Sequence, residues 1–356
     1  MRGEALLELL RVALGTRPDL SRRPTAEQWA ELYDEAKRQS VLGVCLEAVS
    51  RDGGQWADQR GMPIELKLRW IGRGEQIADE NRLLNRQCQQ LTQKLTQSGR
   101  WNCILKGQGL ARLYPHPEWR QSGDIDVWVP GPRRQLVEMT RRVTGRCEEV
   151  TYHHTDFRVF DETPVELHFT PSWMFNPRYN RRLQRWFQEH RQTERGGDFP
   201  VPTREFNRLF VLLHIFRHVF DEGVGLRQII DYFFVLRDAD DHGDLRTDLE
   251  DLGLLRFARG LMWLMGEALA MPREWMVAEP DERLGRWLLE EVMEAGNFGR
   301  YDRRNEGIRH DSPRLVRLRW RLRTSVRRIW YFPSEALWEV PWRVWQYLWR
   351  WRNGYL

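Results

Sequence analysis

The chain has 356 residues, of which 41% are hydrophobic and 30% charged, a globular composition that excludes a disordered chain. Its net charge of +5 is carried almost wholly by arginine, since Lys37, Lys67, Lys94 and Lys106 are the only lysines. No run of about 18 uncharged apolar residues occurs, Glu4, Glu8 and Arg11 interrupt the opening apolar stretch, and Cys45, Cys88, Cys103 and Cys147 form no C-x-x-C pair. A spanning helix, a secretory signal, a zinc framework and a disulfide scaffold are therefore not expected, and a reducing cytoplasm is the expected compartment.

Residues 1–98 read as a helical region. Ala5, Leu6, Leu9, Leu10 and Ala13 share one face of a first helix, and Thr25-Ala-Glu-Gln28 resembles a capping box for a second. Residues 63–98 form a long polar helix with a thin stripe of Leu83, Leu84, Leu91 and Leu95. A mixed α and β block follows over 99–200. Here Asn102–Leu105 is a short apolar run, Lys106-Gly-Gln-Gly109 interrupts it, and a helical segment runs from Leu110 to Tyr114. Residues 124–129, DIDVWV, alternate as a strand with Asp124, Asp126 and Trp128 on one face. A helix over 133–143 precedes two more strands, His154–Phe160 and Val165–Phe169. Helical periodicity returns over 201–312, in segments from Thr203, over 226–237, 247–270 and 281–295. The last part, 313–356, is rich in arginine and tryptophan.

The chemistry concentrates in residues 104–129. Two carboxylates at i and i+2 on a strand point the same way and repel one another unless a cation lies between them. Asp124 and Asp126 therefore form a Mg²⁺-type pair, although a D-x-D is also common as a solvated strand face. Glu166 alternates with His168 in Val165-Glu-Leu-His-Phe169. On a neighbouring strand it brings a third carboxylate, the donor set of a two-metal site for displacement at phosphorus. Gly123 permits a close approach, and Lys106-Gly107 before a helix offers backbone N–H groups to phosphate. His214 and His218, at i and i+4, suit either zinc or a hydrogen-bonded core, and His153-His154 reads as a strand surface.

Leu105-Lys-Gly107, Leu110-Ala111, Leu113-Tyr-Pro115, Arg120, Gly123-Asp-Ile-Asp126, Glu166-Leu-His168, Leu213-His214, His218 and Arg227-x-x-x-Asp231 together resemble an uncharacterised bacterial nucleotidyltransferase family of the DNA polymerase β-like superfamily. The resemblance implies an α+β fold, with a small mixed sheet flanked by helical regions. It implies transfer of NMP from an NTP such as ATP to an acceptor, with release of pyrophosphate. Asp124 and Asp126 would bind Mg²⁺ or Mn²⁺, Glu166 would ligate metal and help deprotonate the acceptor, and the Gly107 turn would take the triphosphate. Gln108 stands where the superfamily has serine or glycine, which leaves Lys106 or Arg120 to supply that phosphate contact. Arg227 and Asp231 would help hold nucleotide or acceptor. The acceptor stays open among protein, RNA and small molecule. A catalytically inactive nucleotide- or nucleic-acid-binding module is the alternative.

The C-terminal segment carries its own ambiguity. Residues 301–356 hold 13 arginines and five acids, a charge of +8, which leaves −3 for residues 1–300. Trp338, Trp342, Trp345 and Trp349 fall on one helical face, and seven arginines lie at 314, 317, 319, 321, 323, 327 and 328. Three readings compete: a tryptophan stripe docked on the body, a nucleic-acid platform, and a helix lying on a membrane surface.

Overall fold

The computed structural model describes residues 3–146, 148–221, 223–239, 245–296 and 328–355. Its N-terminal part is helical, as expected: α1 (Glu4–Ala13), α2 (Ala26–Arg38), α3 (Leu42–Val49), α4 (Gln55–Gln59) and α5 (Ile64–Gln97). Leu6, Leu7, Leu9 and Leu10 bury one side of α1. The Thr25 capping box forms, with the Gln28 N–H donating to Thr25 Oγ1 at 3.3 Å and the Thr25 N–H to Gln28 Oε1 at 2.9 Å. At α3 only glycine fits position 43, because a Cβ there would lie 1.8 Å from the carbonyl oxygen of Trp119. That contact seats the turn that leads into Arg120 against the helical layer.

The central sheet has the order β1-β2-β4-β3, built from β1 (Cys103–Ile104), β2 (Ile125–Trp128), β3 (His154–Asp156) and β4 (Val165–His168). β2 and β4 run parallel, and the outer pairs are antiparallel. The register sets Asp126 opposite Glu166 and Glu166 opposite Asp156, with Trp128, His168 and His154 forming the next row. Alternation therefore sends Ile125, Val127, Val165 and Leu167 to the other face, where they pack with Leu84, Cys88, Leu91 and Leu95 of α5 and with Leu136 of α7 (Arg133–Thr144). β3 is shorter than the expected 154–160, because the Val159 N–H donates to the Phe157 carbonyl at 2.7 Å and turns the backbone off the sheet.

Helices complete the α+β architecture: α8 (Pro177–Glu189), α9 (Arg204–Asp221), α10 (Leu226–Arg237), α11 (Arg246–Asp251), α12 (Leu255–Leu269), α13 (Glu282–Ala295) and α14 (Pro333–Arg352). A hairpin of β5 (Thr193–Arg195) and β6 (Pro200–Pro202) precedes α9. The single helix expected over 247–270 is two, because Gly253 takes a left-handed φ of 69° and closes α11 before α12 begins. α6 begins at Lys106 rather than Leu110, and ends at Ala111. Of the expected arginine run, 314–327 lies outside the described residues. Arg328 donates to the Phe220 carbonyl at 2.6 Å.

Candidate active site

The first element of the site is the turn that links β1 to α6. The Leu105 N–H donates to the Asp126 carbonyl at 2.9 Å, which ties the turn to β2. Lys106 then takes φ 25° and Gly107 takes φ 45°, ψ −117°. These are two successive residues at positive φ, and Gly107 tolerates its conformation because it has no Cβ. Backbone strain of this kind persists where the surrounding structure holds it and clusters at ligand sites.

Lys106 then reaches across to β2. Its Nζ lies 3.0 Å from Asp126 Oδ1. Burial alone would lower its pKa, but the fields of Asp126, Asp124 and Glu166 outweigh burial and raise it. The same Asp126 oxygen accepts from His168 Nε2 at 2.8 Å, and His168 Nε2 is 3.2 Å from Glu166 Oε2. Burial pushes the imidazole down, yet hydrogen bonds to Asp126 and Glu166 prevail and hold it at about 9. Glu166 responds in the opposite sense. Burial raises it, but the His168 hydrogen bond and the charges of His154 and His168 bring it to about 2. At neutral pH the centre is thus an array of carboxylates interleaved with an ammonium and an imidazolium.

Asp126, Glu166 and His168 present ligand atoms within 4.8 Å of one another, and Asp124 is not in that group. Asp124 precedes the first residue of β2, so it lies off the strand register that aligns Asp126 with Glu166. It lines the same cleft as Lys106, Gly107, Arg120, Gly123, Asp126, Arg227 and Asp231, closed on one side by Val211 and His214 of α9. Glu166 lines a second cavity with Asp156 and Arg158. The remaining expected residue, Gln108, points away from the cleft. Its Nε2 donates to Asn85 Oδ1 at 2.8 Å, and its Oε1 accepts from Ser122 Oγ at 2.6 Å. Gly123 has open space where a Cβ would stand, so no close backbone approach explains it.

Arg120 and Asp231 meet across 111 residues as a buried bidentate pair. Arg120 Nε and Nη2 donate to the two Asp231 oxygens at 2.7 and 2.8 Å. Tyr114 Oη donates to the same carboxylate at 2.7 Å. Arg120 Nη1 is buried with no hydrogen-bond partner. Arg227 spends Nη1 on the Gln121 carbonyl at 3.0 Å. These residues shape the wall of the cleft.

The sequence reading set His153 and His154 on a strand surface and did not single out Asp156. His153 and His154 are not a free strand surface. His153 packs against Trp173 at 3.9 Å between centroids, and His153 Nε2 lies 2.8 Å from His154 Nδ1. His154 Nδ1 is 3.4 Å from Glu166 Oε2, and burial holds this histidine at about 4. Asp156 was also missed. Burial and the facing Glu166 raise its pKa. The alternation of His154 and Asp156 carried the signal for both, since it repeats the pattern of β2 and β4.

The carboxylate oxygens of Asp126 and Glu166 suit a hard divalent cation, with His168 Nε2 between them and the Lys106 ammonium beside Asp126. Above them, His214 and His218 pair through their Nε2 atoms at 3.0 Å, a hydrogen-bonded core arrangement on α9. Burial, reinforced by Lys106, lowers His218 to about 4, below the value of about 6.5 it takes when unfolded. Between those two pH values the unfolded chain binds a proton that the folded chain refuses, so stability is lost as pH falls through that window. Melting temperatures measured across it are expected to drop, and His218→Gln is expected to flatten the drop. An unchanged slope in the variant would refute the assignment.

The family model described as "uncharacterised nucleotidyltransferase" matches residues 25–270, a span that contains every residue of the cleft. No curated protein matches the chain. Among solved structures, an antigenic nucleotidyltransferase-like protein from Paracoccidioides brasiliensis is similar at 14% identity, over 57% of this chain and 96% of that one, with a TM-score of 0.33.

Proposed function

The chain belongs to the uncharacterised nucleotidyltransferase family, and from that premise we propose that it is a metal-dependent enzyme that moves a nucleoside monophosphate from an NTP to an acceptor nucleophile. An acceptor oxygen or nitrogen bonds to the α-phosphorus, the bond to the β-phosphate bridging oxygen breaks, and pyrophosphate leaves. The observation that carries this reading is the register of Asp126 against Glu166, with Asp126 lining one cleft with Asp124 and the Lys106-Gly107 turn.

Asp124, Asp126 and Glu166 would hold Mg²⁺ or Mn²⁺, which supplies charge stabilisation at the phosphoryl oxygens. The Lys106-Gly107 backbone receives the triphosphate, and Arg227 adds positive charge to the same cleft. Glu166 would ligate metal and help to deprotonate the acceptor, with His168 Nε2 at 3.2 Å from its carboxylate. The Arg120–Asp231 pair fixes the wall on which nucleotide and acceptor meet.

The test is incubation of the purified full chain with each α-labelled NTP, Mg²⁺ and a lysate. Label transferred by the wild type and absent with Asp124→Ala/Asp126→Ala is the expected result. Equal labelling by both proteins sinks the proposal. Mg²⁺-dependent NTP binding by calorimetry without any transfer would instead identify a binding module.

A further inference from the structure

We propose that His153, His154 and His168 bind one divalent ion of the zinc class through their ring nitrogens, a site whose donors differ from the carboxylate oxygens assigned to Mg²⁺ above. Three of the chain's nine histidines meet here. His168 stands opposite His154 in the register of β4 and β3, and His153 immediately precedes β3. Each offers a nitrogen within 4.8 Å of those of the other two. Imidazole nitrogens about 2.1 Å from a zinc ion stand about 3.4 Å apart on a tetrahedron. No pair at 4.8 Å or less therefore has to close by more than about 1.4 Å, which rotation of the rings can supply.

A ring that ligates metal is ordinarily held in place through its other nitrogen. His168 and His153 both are. His168 Nε2 lies 2.8 Å from Asp126 Oδ1 and 3.2 Å from Glu166 Oε2. Its Nδ1 is buried and has no hydrogen-bond partner among the described residues. A buried polar atom in that state costs stability until something takes it up. His153 Nδ1 lies 3.3 Å from Thr151 Oγ1, and that hydroxyl donates to the His154 carbonyl at 3.1 Å. With its proton spent there, the hydroxyl accepts from His153 Nδ1–H, which leaves a lone pair on His153 Nε2. That Nε2 is the atom 2.8 Å from His154 Nδ1. The two ring nitrogens share one proton, and a metal ion takes its place. Trp173 stacks on His153 at 3.9 Å between centroids and covers that ring.

Donor chemistry selects the ion. Imidazole suits zinc, cobalt and nickel, whereas Mg²⁺ prefers oxygen and keeps several waters. Glu166 Oε2, 3.4 Å from His154 Nδ1, adds negative charge beside the rings. An ion at the histidines displaces the Nδ1 proton of His168 and leaves its Nε2 bond to Asp126 intact. It would thus fix the ring that joins the two carboxylates. His214 and His218 offer no comparable site, because no third ligand joins them among the described residues.

The test uses the untagged full chain without nucleotide, so a failure of nucleotidyl transfer leaves it readable. The protein is incubated with Zn²⁺ in excess Mg²⁺ and desalted, and its metal is counted by mass spectrometry. Wild type is expected to keep about one zinc ion per chain, with imidazole nitrogens in its X-ray absorption spectrum. His153→Gln/His154→Gln is expected to bind zinc at least about tenfold more weakly in competition with a chelating dye. Asp124→Ala is expected to keep its zinc. Wild type that retains none, an oxygen-only ligand shell, or equal affinity in a folded histidine variant overturns the proposal. So does loss of the zinc in Asp124→Ala, which would place the ion on the carboxylates.

Discussion

Asp126→Asn is expected to lower nucleotidyl transfer by about 10³-fold, the order of loss seen when one preorganised electrostatic group is removed from an active site. Asp126 is 2% exposed, and one of its oxygens serves both Lys106 and His168. Asparagine keeps the volume and an accepting oxygen but removes the charge that faces Lys106 and His168. The buried ammonium and imidazolium then lose a counter-charge in a medium where charges interact strongly. The measurement is the single-turnover rate of label transfer, with Mn²⁺ binding followed in parallel by its paramagnetic signal. Weakened Mn²⁺ binding together with slow transfer supports a ligand role. Transfer within tenfold of wild type by a folded variant would remove Asp126 from the site. Circular dichroism of the variant separates lost chemistry from lost structure.

Asp231→Ala is expected to destabilise the chain by about 3–5 kcal/mol, because it strands a buried guanidinium. Asp231 takes three hydrogen bonds, two from Arg120 and one from Tyr114. Arg120 is itself 4% exposed, so water cannot replace them. Chemical denaturation measures the loss. Arg120→Met/Asp231→Leu, which removes both charges and keeps apolar volume, should recover much of it. A double variant as unstable as the single one would mean that the pair supplies more than mutual neutralisation. A single variant of near wild-type stability would refute the expectation.

The legible part of this molecule was the part written in local periodicity. The alternation in residues 124–129 and 165–169 gave both active-site strands, and a shared face for Glu166 and His168 follows from it. The 12-residue α10 (Leu226–Arg237) fell at its expected bounds, because its apolar pattern is continuous. Long-range pairing was not legible. Nothing near Gln108 signals that its side chain turns toward Asn85, and nothing local joins Arg120 to Asp231. Asp124 and Asp126 looked equivalent in sequence, and only the point at which β2 begins distinguishes them. His153 and His154 read as a strand surface, whereas β4 and Trp173 leave them half-buried.

The ion pair between Lys106 and Asp126 bears on how the molecule is made. A cluster of bare carboxylates would resist being brought together until an ion arrived, so folding would wait on metal supply, as it does in domains whose metal provides the folding energy. Here the chain brings its own cation, Lys106, encoded twenty residues ahead of Asp126. A newly synthesised copy can therefore complete its sheet in metal-poor surroundings. On the proposed function, loading would be a later event, in which an incoming cation would compete with a tethered amine for the same oxygen. That competition would separate maturation from activity.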